Sequence, residues 1–182
     1  MKDKSKSKSK IEIQLGEDEL REIALFAATC ARRVLPIFEA ACPNDHRPRE
    51  AIAEAEAFAA GNKRAATLRA CAWAAYAAAR EAKQAAAANA AHAASHAAAA
   101  AYLHPLATPH QVKHVLGAAA HQALALELEA GNDSTVGREQ LHWAANLASP
   151  AVRSVLRRLP SPAQGRGRFS ELLNELDAEL RG

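Results

Sequence analysis

The chain has 182 residues, 48 of them alanine, and a formal net charge of +3. With alanine set aside, only 34 Leu, Ile, Val and Phe side chains are left to build a core, and alanine is the strongest helix former, so the composition is that of an all-α protein. It excludes a β-sandwich or barrel, because β-branched and aromatic residues are too rare, and the eight glycines form no phosphate-cradling cluster of a Rossmann or P-loop enzyme.

Residues 1–10, MKDKSKSKSK, carry five Lys and one Asp, so this tail holds +4 and the remaining residues sum to −1. A Lys-Ser repeat buries nothing and is expected to be a disordered, solubilising extension. Ile11, Ile13 and Leu15 alternate with polar residues and predict a short extended lead-in. Glu17, Asp18 and Glu19 then open a helix, complementing the positive end of its dipole. Its inward face is Leu20, Ile23, Phe26, Ala27, Cys30, Val34, Ile37 and Phe38, with Pro36 as a site for a kink.

Cys42 to Arg47 reads as a loop, and Pro48 suits the first turn of a second helix reaching about Ala60, where Gly61-Asn62 stops it. From Lys63 to Leu103 there is neither Pro nor Gly. One helix of that length fits, as do two end to end with a break near Gln84 to Asn89. His104-Pro105 ends this stretch, Pro109 opens a helix to Ala130, and Gly131-Asn132 closes it. Further helices are expected over 137–148, 150–159 behind a Ser149-Pro150 cap, and 168–182, the last amphipathic and docked on the domain after a linker at 160–167. The expected fold is a single all-α domain over residues 11–159 plus that C-terminal helix. It is a bundle of six or seven helices around an Ala-rich hairpin of 63–103 and 109–130.

Cys30, Cys42 and Cys71 are odd in number and not at metal-ligand spacing, which predicts free thiols in a reducing compartment. No apolar segment accompanies the N-terminal lysines, so a cytoplasmic protein is expected. Gln84 to Tyr102 is long enough to span a bilayer, but alanine contributes too little to transfer and Asn89, His92, Ser95 and His96 interrupt it. A buried helix of a soluble protein is expected there, without membrane association. Outside the tail 15 Arg stand against 3 Lys, a bias that, with the abundant Ala, points to a GC-rich bacterial genome.

Four histidines are the candidate chemistry of the hairpin. His92 and His96 stand at i, i+4, as do His110 and His114, a spacing that can share a metal. In an antiparallel hairpin His92 lies level with His121 and His96 with Gly117. Against a metal, His114 and His121 are about 10.5 Å apart along a helix, and no Asp or Glu occurs between Glu81 and Glu127 to orient a ligand imidazole. His92, His96, His114 and His121 are therefore read first as hydrogen-bonded core residues, with no cofactor, and a metal or small-ligand site, even an enzymatic one, is the alternative. The same absence of carboxylates, and of any visible nucleophile-base pairing, argues against an enzyme.

The densest charged group in the body of the chain is Asp45-His46-Arg47-Pro48-Arg49-Glu50. Two arginines at a helix N-terminus oppose its dipole. Either they pair with Asp45, Glu50 or a neighbouring carboxylate, or they face a partner or anion. Asp45, His46, Arg47, Arg49 and Glu50 are the partner-binding candidates. Arg153, Arg157, Arg158, Arg166 and Arg168 lie around one aromatic, Phe169, too few stacking groups for a nucleic-acid surface, and an ion-paired helix face is expected instead.

Several stretches resemble the immunity proteins of bacterial polymorphic toxin systems, in the immunity-protein-five-like group. They are ELREIALFAATCARRVLPIFEAACPNDHRPREAIAEAEAFAAG at 19–61, LRACAWAAYAAAREA at 68–82 and AHAASHAAAAAYLHPLATPHQVKHVLGAAAHQALALE at 91–127. The combination of a DxRPRE loop, an Ala-rich helix and a His-containing helix pair carries the resemblance, and Asp45, Arg47, Pro48, Arg49, Glu50, His96 and His104 match the group's polar signature. It implies an all-helical cytosolic domain that binds and neutralises a cognate protein toxin, and it brings no catalytic residues.

Overall fold

Residues 11–182 are described by a computed structural model; the expected Lys-Ser tail, residues 1–10, lies outside them. Among the described residues there are eight α-helices, not six or seven: α1 (Glu17–Ala41), α2 (Arg47–Ala59), α3 (Ala66–Glu81), α4 (Ala85–Ala100), α5 (Val112–Glu129), α6 (Ser134–Leu147), α7 (Pro150–Arg158) and α8 (Arg168–Arg181). A 3₁₀ turn, Pro109–Gln111, leads into α5. No helix among them is long and apolar enough to cross a membrane.

The helix boundaries follow local chemistry. The Glu19 carboxylate accepts the Gly16 N–H at 3.0 Å, and α1 runs on through Pro36 to Ala41. Pro48 lies in the first turn of α2, and Gly61, at φ 115°, ends it in the left-handed region that glycine tolerates. Gly131 and Asn132, both at positive φ, close α5. Asp133 accepts the Thr135 N–H at 2.9 Å to start α6, and Ser149 caps α7.

The stretch 63–103 is neither one helix nor two in line. The chain reverses at Ala82 to Gln84 and α4 packs back along α3, so that Ser95 Oγ donates to the Ala72 carbonyl at 2.8 Å. A continuous Ala helix would leave most of its methyl groups in water, whereas the reversal buries them against each other. Helix α4 is buried nearly all round, with Ala87, Ala90, Ala91, Ala93, Ala94, Ala97 and Ala98 out of solvent, and packs on α1, α2, α3 and α5. It is the axis of the bundle.

Around that axis α1 supplies Leu20, Ile23, Phe26, Val34 and Phe38, although Ile37, expected inside, is only half-buried. Helix α8 buries Leu172, Leu173, Leu176 and Leu180 and packs on α5, α6 and α7. The extended lead-in forms one antiparallel bridge, Glu12 with Leu106, held by Ile13 N–H to the Pro105 carbonyl at 3.0 Å and Ala107 N–H to the Ile11 carbonyl at 2.8 Å.

Candidate functional site

The polar loop enters α2 through an ion-pair network. The Arg47 backbone N–H donates to Asp45 Oδ1 at 3.1 Å, while its guanidinium meets both oxygens of that carboxylate, at 2.9 Å from Nε and 2.6 Å from Nη2. Nη2 also reaches Glu81 Oε2 at 2.5 Å, which ties the start of α2 to the end of α3. The Arg47 hydrogen bonds hold Asp45, and likewise Glu81, below the ordinary carboxylate range, and Arg47 itself is pushed up. Arg49 pairs with Glu39 of α1 at 2.5 Å. His46 and Glu50 are exposed and have no ion-pair partner among the described residues. The two arginines that oppose the dipole of α2 are therefore neutralised by carboxylates from three elements.

This network walls one side of an open cleft of about 360 Å³ lined by Cys42, Pro43, Asn44, Asp45, Ala78, Glu81 and Ala82.

Helices α4 and α5 run antiparallel in the expected register. His92 stacks on His121 with ring centroids 4.9 Å apart, and His96 presses on Gly117, where a Cβ would stand 2.5 Å from His96 Nδ1. His96 also stacks on His121 at 5.2 Å, and His121 Nδ1–H donates to Asn89 Oδ1 at 2.8 Å. His114 stands apart from the stack, its ring edge-on to His110 at 5.7 Å. Removal from water lowers His96 to about 4, aided by His114, His92 and Lys113, and also lowers His92, His114 and His121. The rings of His92 and His96 each stack on that of His121. Among the described residues no group of three His, Cys, Asp or Glu side chains is placed to hold a metal ion.

Most of the C-terminal arginines are engaged inside the fold. Arg168 grips Glu127 with Nε to Oε1 and Nη2 to Oε2, both at 2.9 Å, and Arg153 donates to the Ala145 carbonyl at 2.6 Å. Arg158 binds the Gln14 carbonyl and the Glu19 carboxylate. Arg157 and Arg166 are exposed.

Sequence reasoning passed over Trp73 and Tyr76 of α3, which are 67% and 40% exposed. Their position is readable on a helical wheel: Leu68, Ala72, Ala75 and Ala79 form the buried stripe, and Trp73, Tyr76 and Arg80 fall together outside it.

Comparison with curated proteins and with solved structures finds no match. The family model described as Imm-5 like putative immunity protein matches residues 14–151, from the lead-in through α6 to the first turn of α7. That span is most of the chain, and the chain belongs to this family.

Proposed function

We propose that this chain binds a cognate bacterial toxin in the cytoplasm and neutralises it by occlusion, without catalysis of its own. Membership of the immunity family over residues 14–151 is the observation that carries the reading. The surface chemistry supports it. The Asp45 to Glu50 loop is pre-organised by Arg47, its exposed His46 and Glu50 are free for a partner, and rigid presentation reduces the ordering cost of association. The loop lies at or near the contact surface in this reading.

Co-expression with toxin domains encoded by genes neighbouring this chain's own tests the function. Restored growth and co-purification are the expected outcome; undiminished toxicity with a folded, abundant partner removes the reading. The Arg47→Ala/Arg49→Ala variant tests the loop. Weakened binding by a folded protein is expected, full binding with intact stability takes the loop out of the interface, and lost folding assigns it a structural role.

A further inference from the structure

The outward face of α3 is unlike the rest of the surface. Arg69, Trp73, Tyr76 and Arg80 follow at i, i+4, i+7 and i+11, all exposed, and an exposed Lys83 stands in the turn just past the helix end. Trp73 and Tyr76 meet edge to face at 5.9 Å. Trp73, Tyr76, Ala77, Arg80 and Glu81 line an open cleft of about 560 Å³. The other large apolar groups in water, Ile11, Leu25 and Leu147, come one each from three separate elements, as is normal for a soluble surface.

Cations outnumber carboxylates on this face. Among the described residues Arg69, Arg80 and Lys83 form no ion pair. Glu81, the one carboxylate of α3, is already held by Arg47. The next carboxylates, Glu50 and Glu54 of α2, act on the other flank, at Cys71 and Thr67. Arg69 lies over the Tyr102 ring at 4.4 Å, which fixes its guanidinium at one end of the line. From Arg69 to Arg80 the helix rises about 16 Å.

We infer that this face is the docking surface for an acidic segment of a partner protein, with an apolar side chain seated against Trp73 and Tyr76 and carboxylates reaching Arg69, Arg80 and Lys83. The inference rests on the partner-binding reading above and gives that partner its chemistry. Exposed Trp, Tyr and Arg together are the residue types that dominate binding energy at protein interfaces. Opposite charge at the ends fixes register and speeds encounter. A nucleic-acid strand fits less well, because three cations on one helix face and the turn after it do not make a groove that tracks a phosphate backbone.

A phage-displayed library of random peptides, panned on the full-length chain, tests the surface without needing the toxin. Enrichment of Asp- and Glu-rich peptides with an apolar centre is expected. Their affinity should fall by at least about tenfold for Trp73→Ala and for Arg80→Glu/Lys83→Glu. It should be unchanged for Leu25→Ala, an exposed apolar control on α1. All three variants change exposed side chains, and unaltered helical circular dichroism and thermal midpoint confirm that folding is not the cause. Failure to enrich any peptide, enrichment of peptides without acidic residues, equal binding to the variants, or displacement of the peptides by oligo-dT overturns the inference. If peptides select this face while the neighbouring toxin is not neutralised, only the toxin reading fails and the surface stands. If the toxin is neutralised equally by both α3 variants, the surface fails and the toxin reading stands.

Discussion

The imidazole of His121 lies almost flat on the phenyl ring of Phe169, with centroids 4.1 Å apart and planes inclined by 24°. This contact joins α5 to the start of α8, and it ends a row of rings. Trp73 touches Tyr76, Tyr76 touches His92 at 5.4 Å, and His92 stacks on His121. The row crosses the bundle from the exposed face of α3 to α8 through α4 and α5. Alanine makes this possible: small neighbours let helix axes approach, and the few rings then fill what the methyl groups leave open.

The histidines of α4 and α5 make the fold acid-sensitive well above the carboxylate range. Burial lowers His96 from 6.5 to about 4 and lowers His92, His114 and His121 in the same direction, so the unfolded chain binds protons that the folded one refuses. Stability is therefore complete above pH 6.5 and falls as the pH drops toward 4, by roughly 2–3 kcal/mol for His96 alone. Among the described residues no carboxylate acts on these rings to offset the effect; His104, His110 and Lys113 add further positive charge. Urea midpoints measured from pH 7.5 to 4.5 should decline steadily, and His96→Asn should flatten the slope. A constant midpoint across that range would show that the rings are freely hydrated.

Gly117→Ala reverses the usual helix rule. In an exposed helix interior, Gly to Ala stabilises by about 1 kcal/mol. Here the new Cβ would stand 2.5, 2.8 and 2.9 Å from Nδ1, Cε1 and Cγ of His96, a ring that stacks on His121. Forcing that ring aside should destabilise by about 1–3 kcal/mol. Chemical denaturation at pH 7.5 measures it, and the pair Gly117→Ala/His96→Ala should recover most of the loss because the obstructing ring is gone.

Arg168 is the ion-pair partner of Glu127 inside the fold. The Glu127 carboxylate is 6% exposed, lies under Gly137, and takes the Arg168 guanidinium on both oxygens. Arg168→Ala leaves this carboxylate buried without its partner. With Arg168 about a quarter exposed, water replaces part of the interaction, and a loss of roughly 2–4 kcal/mol is expected. Arg168→Met/Glu127→Leu removes both charges and should be clearly more stable than Arg168→Ala alone, as read from thermal midpoints. Equal midpoints for the two variants would mean that packing, not charge, holds α8 in place.

Some of this arrangement is legible in the sequence, and the reason is geometric. Once 91–103 and 109–121 are taken as antiparallel helices joined by a short connection, simple counting puts His92 beside His121 and His96 beside Gly117, as the structure has them. Asp45 as the partner of Arg47 is equally local, two residues away. Glu81 as its second partner is not, because that contact depends on where α3 ends. The reversal at Ala82 to Gln84 has no Gly or Pro to announce it, and only the gain from packing one Ala face on another selects it. Phe169 reads as part of an amphipathic helix, yet its contact with His121 requires knowing which side of α5 is left open by α4 and α6.

The Arg47 network gives a prediction that separates local architecture from partner binding. Its hydrogen bonds lower Asp45, a half-buried carboxylate, so this pair stabilises the fold above the unfolded value of 3.8 and the contribution disappears as the pH falls through the lower folded value. Arg47→Ala should bring the Asp45 titration, followed by carboxyl NMR, back up toward 3.8 and also raise that of Glu81 toward 4.5. The cost in stability should be small, on the order of 1 kcal/mol, since Arg47 and Glu81 remain in contact with water. Glu81→Gln should leave Asp45 low, because the two-residue pair survives without α3. An Asp45 that stays equally low in Arg47→Ala would assign its shift to the loop backbone and remove Arg47 as the residue that organises the entrance to α2.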